Sequence, residues 1–199
     1  MTETVAIFVF PEVEVLDFAG PFQVFSTAAR VAARNTPDGP APCRVFTVSA
    51  SPEPVRTRGG LSIQPDWHFT NHPPADLLII PGGVVDAEMD NPVVLEWIRR
   101  SSATAKLTAS VCTGAFLLAR AGILRRGRVT THWENAADLA SRYPELEVVE
   151  DCRWADQGRY LTSAGISAGI DMSLHLVERR FGRELAEATA RQMDFDWRR

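Results

Sequence analysis

Residues 108–118 read TASVCTGAFLL, a cysteine set between an apolar run and a small-residue helix start. Thiols are among the most buried side chains, so Cys112 can simply fill space. A thiol at a sharp strand-to-helix turn has other possibilities. The turn aims a nucleophile into a crevice. The unpaired N–H groups and partial positive charge of the helix start favour thiolate, which predicts a pKa below the usual ~8.5. Gly114 and Ala115 permit a tight turn. Thr113 either caps the helix or donates a hydrogen bond to a substrate.

The elements that must position this cysteine alternate along the chain. TVAIFVF (4–10) is a continuous apolar strand of the kind buried on both faces, and 20–34 a helix with Pro21 in its first turn. CRVFTVSA is the next strand. VRTRGGLSIQPD, with its Gly-Gly pair, reads as a hairpin. ADLLIIPGG is a buried strand that stops at Pro81-Gly82-Gly83. Asn91 caps a helix with Pro92 at its first position, AKLTASV is a strand, and Gly122 ends the helix after Cys112. A second hairpin over EVVEDCRWADQGRYLTSA turns at Gln157-Gly158, and two helices close the chain. This alternation predicts a single α/β domain over residues 1–199, a three-layer sandwich of flavodoxin-like type with a mostly parallel sheet. Ligands bind such sheets beyond the carboxyl ends of the strands, where strand order reverses. Three polar or glycine-bearing stretches fall at such ends: Glu14–Pro21, Pro81-Gly82-Gly83 and Cys112-Thr113-Gly114. That coincidence favours a catalytic Cys112.

Whole-chain properties narrow the function classes. With 199 residues and 45% hydrophobic content, the chain can bury a core without disulfides or a structural metal. A net charge of −4 gives no electrostatic reason for a nucleic-acid or anionic-membrane partner. No stretch approaches the ~20 apolar residues of a membrane span. Cys43, Cys112 and Cys152 are odd in number and lack CxxC spacing, which argues against a disulfide framework and a zinc site. A reduced, cytoplasmic protein is the simplest reading. GISAGID (165–171) is not a GxGxxG motif. It reads as a tight strand–helix junction under the cysteine loop, with Ile166 as a pocket wall.

ASVCTGAFLLARAGIL followed by GRVTTHW resembles the ThiJ/PfpI superfamily of class I glutamine-amidotransferase-like folds. FPEVEVLDFAGPFQVF, LLIIPGG and YLTSAGISAGIDMSLHLVE match it in the same order, so the likeness covers nearly the whole chain. Asp17 in LDFAGP together with Cys112-Thr113 is most similar to the isocyanide hydratases. The same motifs occur in the ligand-sensing half of AraC-type regulators. The resemblance implies roles. Cys112 corresponds to the nucleophile, and Asp17 to the acid that approaches its sulfur. Thr113 is the adjacent hydroxyl, and Gly82 and Gly83 are the glycines whose N–H groups face a developing anion. Asp17 can also be read as a helix cap before Pro21.

Departures from the family pattern remove two readings. Peptidases of the superfamily carry a histidine directly after the cysteine, where this chain has Thr113. Amidotransferases carry a late His-x-Glu pair, whereas His175 and Glu178 are at helical spacing. His132 is the remaining histidine candidate and reads as structural. The resemblance therefore implies a cofactor-free hydratase of isocyanides, a homodimer, with an apolar pocket for a small-molecule substrate. Glyoxalase-like hydration of 2-oxoaldehydes is an alternative. A ligand or redox sensor without catalysis is another, since a low-pKa thiol oxidises readily. The chain ends at Arg199 without a helix-turn-helix, which counts against direct DNA binding.

Overall fold

The continuous apolar runs become strands and the runs with helical periodicity become the layers around them. The structure, a computed structural model, describes residues 2–35 and 39–198. In chain order the elements are β1 (Glu3–Phe8), α1 (Val15–Asn35), β2 (Cys43–Ser49), β3 (Val55–Arg56), β4 (Ser62–Ile63), β5 (Trp67–His68) and β6 (Leu77–Ile80). There follow α2 (Asp86–Met89), α3 (Pro92–Thr104), β7 (Leu107–Val111), α4 (Gly114–Arg120), β8 (Gly127–Val129) and α5 (Ala136–Arg142). The chain closes with β9 (Leu146–Val148), β10 (Trp154–Asp156), β11 (Tyr160–Ser163), α6 (Ala168–Phe181) and α7 (Arg183–Gln192).

Seven strands form the central sheet in the order β10-β11-β7-β6-β1-β2-β5, parallel throughout except for β10. The chain runs outward from β1 to β2, then returns to lay β6, β7 and β11 on the other side of β1. Strand order thus reverses between β1 and β6, the place where α/β sheets open a crevice. Both faces of the sheet are covered. Thr108 on β7 donates to Ser102 on α3 at 2.9 Å. Three residues on, and so on the opposite face, Val111 packs against Gly169 of α6, where a Cβ would lie 2.8 Å from its side chain. Residues 5–8 and 77–80 are almost wholly buried, as strands covered on both sides must be.

The elements depart from the sequence-based expectation in three places. Helix α1 starts at Val15 rather than Gly20, because the Glu14 carboxylate accepts from Val15 N at 3.1 Å and its carbonyl accepts from Asp17 N at 3.2 Å. Pro21 therefore lies inside the helix and not in its first turn, and Asp17 is a helical residue. The second hairpin is shorter than expected. Its turn at Gln157-Gly158 joins β10 and β11, but residues 146–148 pair in parallel with β8 as a separate two-stranded sheet. The segment after the first hairpin adds β5 as an edge strand beside β2. Among the described residues no helix is long and apolar enough to cross a membrane.

Candidate active site at the carboxyl edge

Cys112 follows β7 directly and has φ of 56°, a left-handed conformation that is costly for a residue with a Cβ. Partners on every side hold it there. Its N–H donates to the Ser163 carbonyl of β11 at 3.1 Å. Its carbonyl accepts from the Thr131 hydroxyl at 2.8 Å and from Ala115 N at 3.4 Å. Gly114 lets α4 start at once, since a Cβ there would lie 2.1 Å from the Ile80 carbonyl oxygen. The side chain is 7% exposed.

Two backbone N–H groups, of Thr113 and Ile166, lie beside the sulfur and favour its charged form. Ile166 has φ of 48°, a genuine outlier for a β-branched residue, at the carboxyl end of the neighbouring strand β11. Two strained residues thus face each other across adjacent strands. Both N–H groups favour thiolate, yet burial and the nearby Asp17 carboxylate outweigh them and push the thiol up to about 12. This reverses the depressed pKa that the turn suggests. The seven residues of α4 add only a small dipole, whereas desolvation acts on the whole charge.

Asp17 is the counterpart of that thiol. It has no exposed surface, and burial pushes its carboxyl up to about 7 against the lowering effect of Gly82 N–H and of the Cys112 thiol. Oδ2 accepts from Gly82 N at 3.1 Å, while Oδ1 makes no well-aligned hydrogen bond. Asp17 is therefore not the helix cap of the simpler reading, since its side chain leaves its own helix for the β6 loop. Between about pH 7 and about pH 12 the thiol and the carboxyl together hold one proton, and below about 7 the carboxyl takes up a second.

Gly82 and Gly83 reach the site but do not present open donors. Gly82 N–H is taken by Asp17, and Gly83 N–H by the Thr113 hydroxyl at 2.9 Å. The same hydroxyl donates to the Gly83 carbonyl at 2.9 Å, so Thr113 neither caps α4 nor has its proton free for a substrate. The glycines are needed for space. A Cβ on Gly82 would lie 2.5 Å from the Thr113 hydroxyl and 2.9 Å from Asp17 Oδ2. Gly83, at φ of 142°, pairs with Val13 and ties the loop after β1 to the loop after β6.

Cys112, Thr113 and Gly83 border a cleft of about 620 Å³ with Val84, Trp133 and Ile166 among its walls, whereas Asp17 and Gly82 do not line it. The apolar pocket expected for an isocyanide is only half present, because Glu14, Arg58, Asp86 and Glu134 also line it. These charged residues stand on separate loops and carried no joint signal in the sequence. Thr131, which secures the Cys112 carbonyl, was likewise missed, and the paired threonines before His132 are its only mark. His132 lines the cleft and its ring packs over Gly165, where a Cβ would lie 2.1 Å from it. Its Nδ1 accepts from Glu134 N at 3.4 Å, a structural contact. His175 bonds Asp156 at 2.9 Å and stacks on Trp154, away from the sulfur. Among the described residues no three His, Cys, Asp or Glu side chains converge to hold a metal ion.

A flavodoxin-like parallel sheet with a strained cysteine turn at its crevice, faced by a buried carboxyl, defines a class of α/β proteins. The chain belongs to the DJ-1/PfpI family, whose model matches residues 3–179. It is 31% identical over 196 residues to an isonitrile hydratase of Pseudomonas putida, covering 98% of this chain and 79% of that protein. It is also 31% identical over 149 residues to the HTH-type transcriptional regulator CdhR of Pseudomonas aeruginosa, covering 75% of this chain and 44% of the regulator. Among solved structures, a ThiJ/PfpI family protein from Pseudomonas syringae superposes with a TM-score of 0.85 at 26% identity, over 98% of this chain and 76% of that one.

Proposed function

We propose that the protein is a cofactor-independent hydratase that converts isocyanides to N-substituted formamides through Cys112. The observation that carries this reading is the burial of Cys112 beside the Asp17 carboxyl, which burial pushes up to about 7, so that the pair can exchange a proton. An isocyanide carbon needs a nucleophile and a proton at the same atom. When the sulfur attacks that carbon, an S–C bond forms and the proton of the pair moves to the carbon, giving a thioformimidate. Thr113 N–H and Ile166 N–H hold the sulfur as its charge changes. Asp17, now ionised, takes a proton from water as the water oxygen bonds the same carbon, and hands that proton to the imine nitrogen. The tetrahedral species expels the sulfur, its hydroxyl proton returns to the pair, and the formamide leaves. The sum is one isocyanide plus one water. Val84, Trp133 and Ile166 supply the apolar contacts for the substituent.

In this reading the protein works as a homodimer on a small molecule in the cytoplasm, where its three free cysteines stay reduced. The likeness to the isonitrile hydratase supports it. The charged rim of the cleft and the likeness to regulators favour a second reading, a ligand sensor that uses the same cleft without turnover. A panel assay separates them. Purified protein is given aromatic and aliphatic isocyanides and methylglyoxal, and formamide and lactate are quantified. Formamide from wild type and none from Cys112→Ala is the expected result. Methylglyoxal turnover alone would reassign the site to 2-oxoaldehyde hydration. Saturable binding without product from any substrate would favour the sensor.

A further inference from the structure

A second cleft, of about 550 Å³, opens at the other end of β7 and β11, beside the residues that precede these parallel strands. Arg99, Arg125, Arg126 and Arg159 line it with Gln157 and Tyr160, and no lining residue is acidic. Such a concentration is unusual in a chain whose net charge is −4. Helix ends explain part of it. Arg159 Nη2 donates to the carbonyls of Ser102, Ala103 and Ala105 at 2.8–3.2 Å, at the carboxyl end of α3. Arg99 Nε donates to the Ala121 carbonyl at 3.1 Å and Arg125 Nε to the Gly122 carbonyl at 2.7 Å, both just past α4. These bonds consume one edge of each guanidinium and fix its direction, but leave most of the five N–H donors of each unspent. Glu96, on Arg99, is the one carboxylate paired with any of the four among the described residues. Arg126 makes no hydrogen bond or ion pair to another described residue, so no helix end accounts for it.

We propose that this cleft is a second ligand site, for a phosphate-bearing small molecule, separate from the Cys112 cleft. Guanidinium forks match phosphate oxygens two at a time, and those already anchored to carbonyls lose little freedom on binding. A cleft of this volume accommodates a small ligand.

The test is isothermal titration calorimetry of the full chain with inorganic phosphate, pyrophosphate and ADP, against sodium chloride at matched ionic strength. Saturable binding of pyrophosphate at one per chain is expected. It should weaken about ten- to a hundredfold in Arg126→Ala, the loss of a charge-assisted contact, and stay unchanged in Arg58→Ala. Tighter binding of ADP than of pyrophosphate would identify a nucleotide, and equal binding a bare phosphate group. Unchanged thermal unfolding of Arg126→Ala in chloride confirms that the fold is intact. No saturable heat, equal affinity in Arg126→Ala, or loss of binding in Arg58→Ala would each overturn the proposal. The last outcome would place the anion in the Cys112 cleft.

Discussion

Cys43 and Cys112 are both buried thiols in one core, and burial pushes both up to about 12. Cys43 opens the regular strand β2, and its thiol donates to the Phe25 carbonyl at 3.5 Å. Among the described residues no N–H group lowers its thiol, and the nearby charge of Glu3 raises it further. Cys112 sits on a strained turn, with two N–H donors beside its sulfur and a carboxyl that can hold the proton in its place. Equal resting proton affinity thus conceals opposite capacities. Among the described residues Cys43 has no carboxyl in hydrogen-bond contact to take its proton, whereas Cys112 has Asp17, which in the proposed reaction takes the proton as the sulfur bonds a substrate.

Removing each sulfur gives the widest contrast. Cys112→Ala should reduce isocyanide hydration by more than about 10³-fold, as loss of a nucleophile does. Cys43→Ala should leave kcat unaltered and cost about 1–2 kcal/mol of stability through the small cavity it leaves. Formamide formation and urea unfolding of the two variants check both halves. Activity retained in Cys112→Ala would abolish the distinction.

Asp17→Asn asks whether the neighbour makes the difference. Asparagine keeps an oxygen for Gly82 N–H but cannot exchange protons, so kcat should fall about 10²–10⁴-fold. The Asp17 charge and its contact both raise the thiol, so removing them should lower the Cys112 pKa, while burial still holds it above the ordinary value. The pH profile of iodoacetamide labelling, resolved by mass spectrometry, should shift to lower pH at Cys112 and stay fixed at Cys43. A variant with a more reactive thiol and less turnover would separate nucleophilicity from proton transfer. Wild-type kcat in Asp17→Asn would mean the proton comes from water.

Much of this contrast is local and was legible in the chain. The strand–turn–helix around Cys112, the glycines after β6 and the acid after β1 are short motifs, and parallel-sheet geometry brings their strand ends together. The direction of the Cys112 proton affinity was not legible. A helix start is visible in ten residues, but desolvation depends on everything packed around the sulfur, and it dominates. The fate of the Gly82 and Gly83 N–H groups was hidden for the same reason, since Asp17 and Thr113 claim them from 65 and 30 residues away. The pairing of β8 with β9 joins two three-residue segments too short for any periodicity.

The pH dependence of stability gives a third probe, one that needs no substrate. The Asp17 carboxyl is raised from an ordinary value of 3.8 to about 7 in the folded chain. Between those values the folded state holds a proton that the unfolded state has lost, so this residue makes stability fall as pH rises from about 4 to about 7 and level off above. The contribution is on the order of a few kcal/mol. Glu3, Asp76 and Asp156 have lowered values and slope the other way at lower pH, so the readable quantity is the difference between wild type and Asp17→Asn. That difference, from urea midpoints at pH 4 to 8, should favour the variant increasingly up to pH 7. A flat difference would mean the carboxyl is ionised at an ordinary pKa, and the shared proton would be lost from the mechanism.

The smallest effect is expected at Thr131, which touches the cysteine only through its backbone. Its hydroxyl donates to the Cys112 carbonyl at 2.8 Å, and both groups are buried. Thr131→Val keeps the shape but leaves that carbonyl with Ala115 N at 3.4 Å as its remaining partner. The cost should be about 1–2 kcal/mol, the penalty for a weakened buried hydrogen bond. Catalysis should suffer less, because Cys112 N–H is still held by Ser163 and the strained φ is fixed from that side as well. We expect kcat to fall by no more than about tenfold, the equivalent of 1.4 kcal/mol, with the labelling profile of Cys112 unmoved. A shift of that profile would show that the Thr131 bond also sets the sulfur against its N–H donors. The left-handed turn would then depend on the β8 side of the site as much as on β11, and the contrast with Cys43 would extend one shell further out.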